Sequence, residues 1–257
     1  MQLMPAIAKR GIQMAAVALV FMGVLVHAAE TRVDHSLYAR LLKQYVADGM
    51  VDYKGFKNEE AALDRYLEVL AAVDPATLSD PDRFAFYANA YNAWTIKLIL
   101  MHYPGIESIK ETGSFFRSPW KKRFVRLEGR LMTLDEIEHD TLRAQYRDPR
   151  IHFAVNCASK SCPPLYHEPF EGQNLEYQLN DATGQFINDP VRYRLEGRRL
   201  SVSKIFNWYG EDFNDDPVGY FLQFAEGDLK TRLAQQRSQL KVDYLDYDWS
   251  LNEGVRE

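Results

Sequence analysis

The segment Asp148–Pro164 reads DPRIHFAVNCASKSCPP and holds both cysteines of the chain beside an arginine, a histidine and an asparagine. A thiol next to an imidazole and an amide is the residue set of a thiol nucleophile: Cys157 attacks, His152 or His139 takes its proton, and Asn156 or Glu138 orients the ring. The alternation Ile151, Phe153, Val155 against His152, Ala154, Asn156 predicts a strand here, with His152 and Asn156 on one face. The strand runs into a polar turn over 158–160 and stops at Pro163-Pro164.

Two other readings of the same cysteines stay open. The spacing Cys157-x4-Cys162 would allow a short disulfide if the protein is exported. His139 and His152 would complete a four-ligand zinc set with the two thiolates, although the spacing is not that of a zinc knuckle.

Glu138 adds a carboxylate where the helix periodicity expects an apolar residue. Leu134, Ile137 and Leu142 set the buried face of a helix over 134–146, and Glu138 falls on it. Burial there demands a partner, for which Arg150 or Arg143 serves in a structural reading. In a catalytic one, Glu138 and His139 form an acid/base or orienting pair. The turn amides over 158–160, or the side chains of Asn89 and Asn92, would stabilise an oxyanion.

The elements that must position these groups are legible from caps and periodicity. Helices are predicted over 34–47 and 59–72, with a short strand at 50–53 between them. The longest helix, about 81–102, begins at Pro81 and ends before Tyr103-Pro104-Gly105. It is apolar on most sides, which places it at the centre of the fold. Asn89 and Asn92 share one face of it, as a polar knot or a site wall. Residues 124–131 and 191–198 each read as strand, Glu-Gly turn, strand, and Thr133 with Glu136 forms a capping box. A helix over 174–187 and a final strand over 241–249 complete an α+β domain, with amphipathic helices packed on a mainly antiparallel sheet around the central helix.

Residues 1–28 have the pattern of a secretory signal peptide, leaving 29–257 as a single globular domain in the periplasm or outside the cell. The net charge of −5 becomes more negative without the leader, which carries Lys9 and Arg10 and no acid. That balance argues against nucleic acid and anionic membrane faces, and no stable membrane insertion is expected after cleavage. No nucleotide or dinucleotide motif, Gly-x-Ser-x-Gly or His-Glu-x-x-His is present, so no cofactor is expected. A small-molecule or peptide ligand is the expected partner, with Asn89, Asn92, Arg150 and Asn156 expected to bind it; the oligomeric state is not encoded legibly.

Several motifs occur together in one order: FYANAYNAWTIKL at 86–98, LDEIEH at 134–139, DPRIHFAVNC at 148–157, SCPPL at 161–165, and LSVSKIFNWY at 200–209 followed by Asp212-Phe213. In this the chain resembles the domain of unknown function 547 family, over a core of about 50–225. The resemblance implies a domain found in exported bacterial proteins and in plant proteins, with no activity attached. It marks Asn89, Asn92, Glu138, His139, Arg150, His152, Cys157 and Cys162 as motif positions. It also implies that some plant relatives lack the second cysteine, which makes Cys157 the more interesting thiol. Two functions are therefore carried forward. One is a thiol-dependent hydrolase or acyl transferase acting on an amide or ester, with the logic of papain-like and transglutaminase-like enzymes. The other is a non-catalytic periplasmic binding or scaffolding domain stapled by Cys157–Cys162.

Overall fold

The computed structural model describes residues 32–114 and 117–254; the predicted leader lies outside them. Helix α1 (Ser36–Tyr45) turns Tyr38, Leu41 and Leu42 inward. Strands β1 (Val46–Ala47) and β2 (Met50–Val51) form a minimal antiparallel hairpin. Its turn places Asp48 and Gly49 at φ 51° and 75°, the left-handed pair that such a tight turn needs. A side chain at Gly49 would collide with Pro164, so this hairpin also backs the end of the cysteine segment. The strand predicted over 50–53 stops early because the Asp52 carboxylate accepts the Gly55 N–H at 2.7 Å and starts α2 (Tyr53–Asn58). Helix α3 (Glu60–Ala71) follows.

Helix α4 (Asp80–Leu100) is the centre of the fold, as its all-round apolar sequence requires. Ser79 caps it by accepting the Asp82 N–H, Pro81 sits in its first turn, and residues 84–96 are buried on every side. Hairpin β3 (Val125–Leu127) and β4 (Arg130–Met132) turns at Glu128-Gly129. The capping box is formed: Thr133 N–H donates to Glu136 Oε2 at 2.6 Å, and Glu136 N–H to Thr133 Oγ1 at 3.0 Å. The helix that starts there is a π-helix over Glu136–Arg143, passing into α5 (Ala144–Tyr146). The Thr141 hydroxyl donates to the carbonyl of Glu136, five residues back, at 3.2 Å. Eight residues of this wider coil are uncommon, and such segments concentrate at functional sites.

The strand predicted for the cysteine segment is not formed; residues 151–154 make the one-turn helix α6 (Ile151–Ala154). Asp148 explains this. Its carboxylate accepts the Arg150 N–H at 2.9 Å and its carbonyl the Ile151 N–H at 3.1 Å, with Pro149 between, which is a helix start. Residues 151–156 are buried on all sides, so their alternation did not report two faces.

Helix α7 (Leu175–Asn188) packs on α6, and β5 (Tyr193–Glu196) pairs antiparallel with β6 (Arg199–Val202). Helices α8 (Ile205–Trp208), α9 (Pro217–Phe224) and α10 (Gly227–Gln236) precede β7 (Lys241–Tyr244), which adds to β6 in parallel. The fold is thus α+β, but among the described residues its strands make three small separate sheets, and the helices pack around α4 rather than on one sheet. Beyond β7 the chain lies over the cysteine segment as an extended strap. Lys160 and Ser161 N–H donate to the carbonyls of Ser250 and Asp248 at 2.9 and 3.2 Å, and Asn252 N–H to that of Ala158 at 3.3 Å.

Candidate active site

Two asparagine side chains fix the cysteine segment in place. Asn92, on α4, donates to the Ala154 carbonyl at 2.9 Å and accepts the Asn156 N–H at 2.8 Å. Asn156 in turn accepts the Ala158 N–H at 2.9 Å and donates to the Pro163 carbonyl at 2.7 Å. The turn that carries Cys157 is therefore tied at its start to the central helix and closed across to Pro163 by Asn156. Asn89 makes the same kind of clamp one turn away, with the Phe170 N–H and carbonyl at 2.9 and 2.8 Å. The expectation that Asn89, Asn92 and Asn156 face a substrate is corrected: their amides are buried and spent on backbone groups that would otherwise lack partners. The turn amides fare likewise, since Ala158 and Lys160 N–H are already bonded.

Cys157 stands half-buried on the wall of a cleft of about 260 Å³, whose lining also includes Glu138, His139, His152, Cys162, Tyr91, Tyr209 and Tyr247. Its Sγ lies 3.2 Å from Ser159 Oγ and 3.4 Å from the Tyr247 hydroxyl. Burial pushes the thiol up, but hydrogen bonds from Cys162, Ser159 and Tyr247 outweigh it and hold Cys157 below the usual thiol range. Cys162 goes the other way: buried, and beside the first sulfur, it is held well above that range. Both cysteines are free. In place of the expected disulfide, Cys162 Sγ accepts the Cys157 N–H at 2.8 Å. Nor is the zinc set assembled: among the described residues no three His, Cys, Asp or Glu side chains converge as metal ligands.

The histidines have partners the sequence did not name. His152 is 3% exposed, and its Nε2 lies 2.6 Å from Asp212 Oδ2 rather than on Asn156. The ring stacks on Tyr209 with centroids 4.2 Å apart. Arg143 donates from Nε to the same Asp212 oxygen at 2.7 Å and from Nη2 to the other at 3.0 Å. Burial raises the Asp212 carboxyl, but hydrogen bonds from His152 and Arg143 overcome this and hold it far below the usual carboxylate range. With Nε2–H given to Asp212, Nδ1 is the His152 atom that can take a proton. Arg143 Nη1 also donates to His139 Nδ1 at 3.3 Å, so His139 carries its proton on Nε2, 3.7 Å from Asp135. His139 is thus paired with Arg143 and Asp135, not with Glu138.

Glu138 is buried at 8% exposure, as its place in the apolar stripe demands, yet no arginine meets it. The Tyr209 hydroxyl donates to it at 3.5 Å, and it also pairs with the buried hydroxyl of Tyr91. Arg150 is engaged elsewhere, with Asp148, Glu176 and Asn180, at a distance from the cleft lining. The cleft residues Tyr209 and Tyr247, and Ser159 and Asp212, which contact Cys157 and His152, were not picked out from the sequence. Only Tyr209 and Asp212 had a signal, as members of the last motif.

Residues 75–187 match the family described as "Protein of unknown function, DUF547". No curated protein and no solved structure matches the chain. The matched segment supplies Glu138, His139, His152 and both cysteines, whereas Tyr209, Asp212 and Tyr247 come from beyond it. No helix among the described residues is long and apolar enough to cross a membrane.

Proposed function

We propose that the protein is a thiol-dependent hydrolase or acyl transferase, exported by its leader, that acts on an amide or ester in this cleft. The observation that carries this is the Cys157 thiol, part-exposed on the cleft wall and held below the usual range by three donors. A buried structural cysteine in apolar surroundings would be displaced upward, as Cys162 is. In this reading Sγ attacks the carbonyl carbon and its proton passes to His152 Nδ1, while Asp212 and Arg143 hold the ring. The negative charge moves from sulfur to oxygen, where the Tyr209 or Tyr247 hydroxyl meets it. The tetrahedral adduct expels the amine or alcohol, which takes the proton from the imidazolium, and water or a second nucleophile then cleaves the thioester.

The test needs no natural substrate. At pH 7, iodoacetamide should label Cys157 faster than free cysteine and leave Cys162 untouched. p-Nitrophenyl acetate should leave an acetyl group on Cys157 that mass spectrometry detects, and His152→Ala should slow its formation at least tenfold, the low end for a general base being roughly a hundredfold. Labelling of Cys157 no faster than free cysteine would reject the enzyme reading.

A further inference from the structure

The mouth of the cleft is built of large rings that the proposed chemistry leaves unused. Trp208, Tyr247 and Trp249 crowd together, with centroids 4.8 Å apart for Trp208–Tyr247, 4.5 Å for Tyr247–Trp249 and 5.8 Å for Trp208–Trp249. Trp120 meets Trp249 edge-on at 5.8 Å. All four line the cleft, and Trp208 is 45% exposed, a large apolar surface left in water.

The charges of the same cleft are of one sign. Asp135 and Glu138 line it, and no lysine or arginine among the described residues does. Two aromatic rings of this wall already hold cations on their faces: Lys110 Nζ lies 3.9 Å from the Trp249 ring centre, and the Arg143 guanidinium 4.8 Å from that of Tyr209. Lys110 is exposed, and Arg143 is neutralised by Asp212 and Glu211. Neither reverses the negative balance inside.

Ring faces plus carboxylates that carry no lysine or arginine partner among the described residues are the chemistry that binds an organic cation. An anionic ligand would meet two carboxylates and a thiol that ionises, and Lys110 stands outside the lining on the Trp249 ring. We infer that the cleft selects substrates bearing a positively charged amine, a primary or quaternary ammonium, close to the reacting carbonyl. The ammonium sits against Trp208 and its neighbouring rings, with Asp135 as counter-charge. This rests on Cys157 being the reactive group; the cation site itself does not.

Methanethiosulfonate reagents read both. The rate ratio of the trimethylammonium-ethyl reagent to the sulfonato-ethyl reagent at Cys157 should exceed the ratio for free cysteine by roughly tenfold or more, the scale of one or two ring contacts. Trp208→Ala and Asp135→Asn should each move the ratio toward that of free cysteine, whereas Trp208→Phe should keep most of it. A ratio at or below that of free cysteine would overturn the inference. Failure of the enzyme reading looks different: Cys157 would react no faster than free cysteine with the neutral methyl reagent. In that case benzyltrimethylammonium, followed by tryptophan fluorescence in the Cys157→Ala protein, decides the cation site. Saturable quenching that Trp208→Ala removes would uphold it, and a flat titration would overturn it.

Discussion

Helix α4 carries two nearly identical amide clamps whose surroundings could hardly differ more. Asn89 grips the backbone of Phe170 and lies beside His35, whose ring is packed against Tyr66 with Nδ1 2.7 Å from the hydroxyl. Asn92, three residues on, grips 154–156 and so the turn bearing Cys157, which opens onto the cleft. The same local chemistry anchors a closed knot in one case and a reactive turn in the other. A buried asparagine on a central helix therefore announces an anchored loop, and only the anchored loop says whether a site is present.

The sharpest way to break that comparison is to cut both clamps. Asn92→Ala and Asn89→Ala each strand a buried N–H and a carbonyl, which should cost on the order of 3 kcal/mol of unfolding free energy. Urea unfolding should show similar losses for the two. Iodoacetamide should separate them: Asn92→Ala should blunt the fast labelling of Cys157, because the turn that presents Sγ to Ser159 and Tyr247 is released. Asn89→Ala should leave it intact. Equal effects on labelling would mean that the two clamps are one structural unit.

The closed knot should also answer to acid. Burial lowers His35 from 6.5 to about 4, against the opposing pull of Glu171, Asp34 and Asp82. Asn89 Nδ2–H faces its Nε2 at 3.4 Å, so the neutral ring is the form that fits. A depressed folded-state pKa means that the contribution is complete above about pH 6.5 and is lost as the pH falls toward 4, with no further loss from this group below that. The shift corresponds to at most about 3 kcal/mol. Urea midpoints from pH 7 to 4 should fall more steeply for the wild type than for His35→Gln; parallel curves would exclude His35 as the cause.

What the sequence disclosed follows the range of the interactions involved. Helix α4 and the Thr133/Glu136 box were legible because Ser79, Pro81 and the box residues act within one turn of themselves. Burial of Glu138 was legible too, since the apolar stripe is periodic. Its partner was not, because Tyr209 arrives from 71 positions further on. Asp212 meets His152 across 60 positions, and Tyr247 meets Cys157 across 90. The cysteine segment misled for a local reason: Asp148-Pro149 is a helix start, and a fully buried segment has no polar face for alternation to mark. The π-helix has no signature that a period of 3.6 would reveal.

The smallest expected effect tests the reactive turn alone. Tyr247→Phe removes one of the hydroxyls that hold Cys157 low and leaves the ring among Trp208 and Trp249. The Tyr247 hydroxyl also lies 3.4 Å from Ser159 Oγ, a long contact whose loss should matter little. Folding stability should change by less than about 1 kcal/mol, the net worth of one neutral hydrogen bond. The midpoint of the pH profile for alkylation should nevertheless move upward, because the removed donor favours the thiolate. Cys162→Ala should move it the same way by withdrawing a second donor, and Tyr247→Phe with Cys162→Ala should move it further than either. An unmoved midpoint in both single variants would show that these groups only pack around Cys157 and that its charge is held by something else.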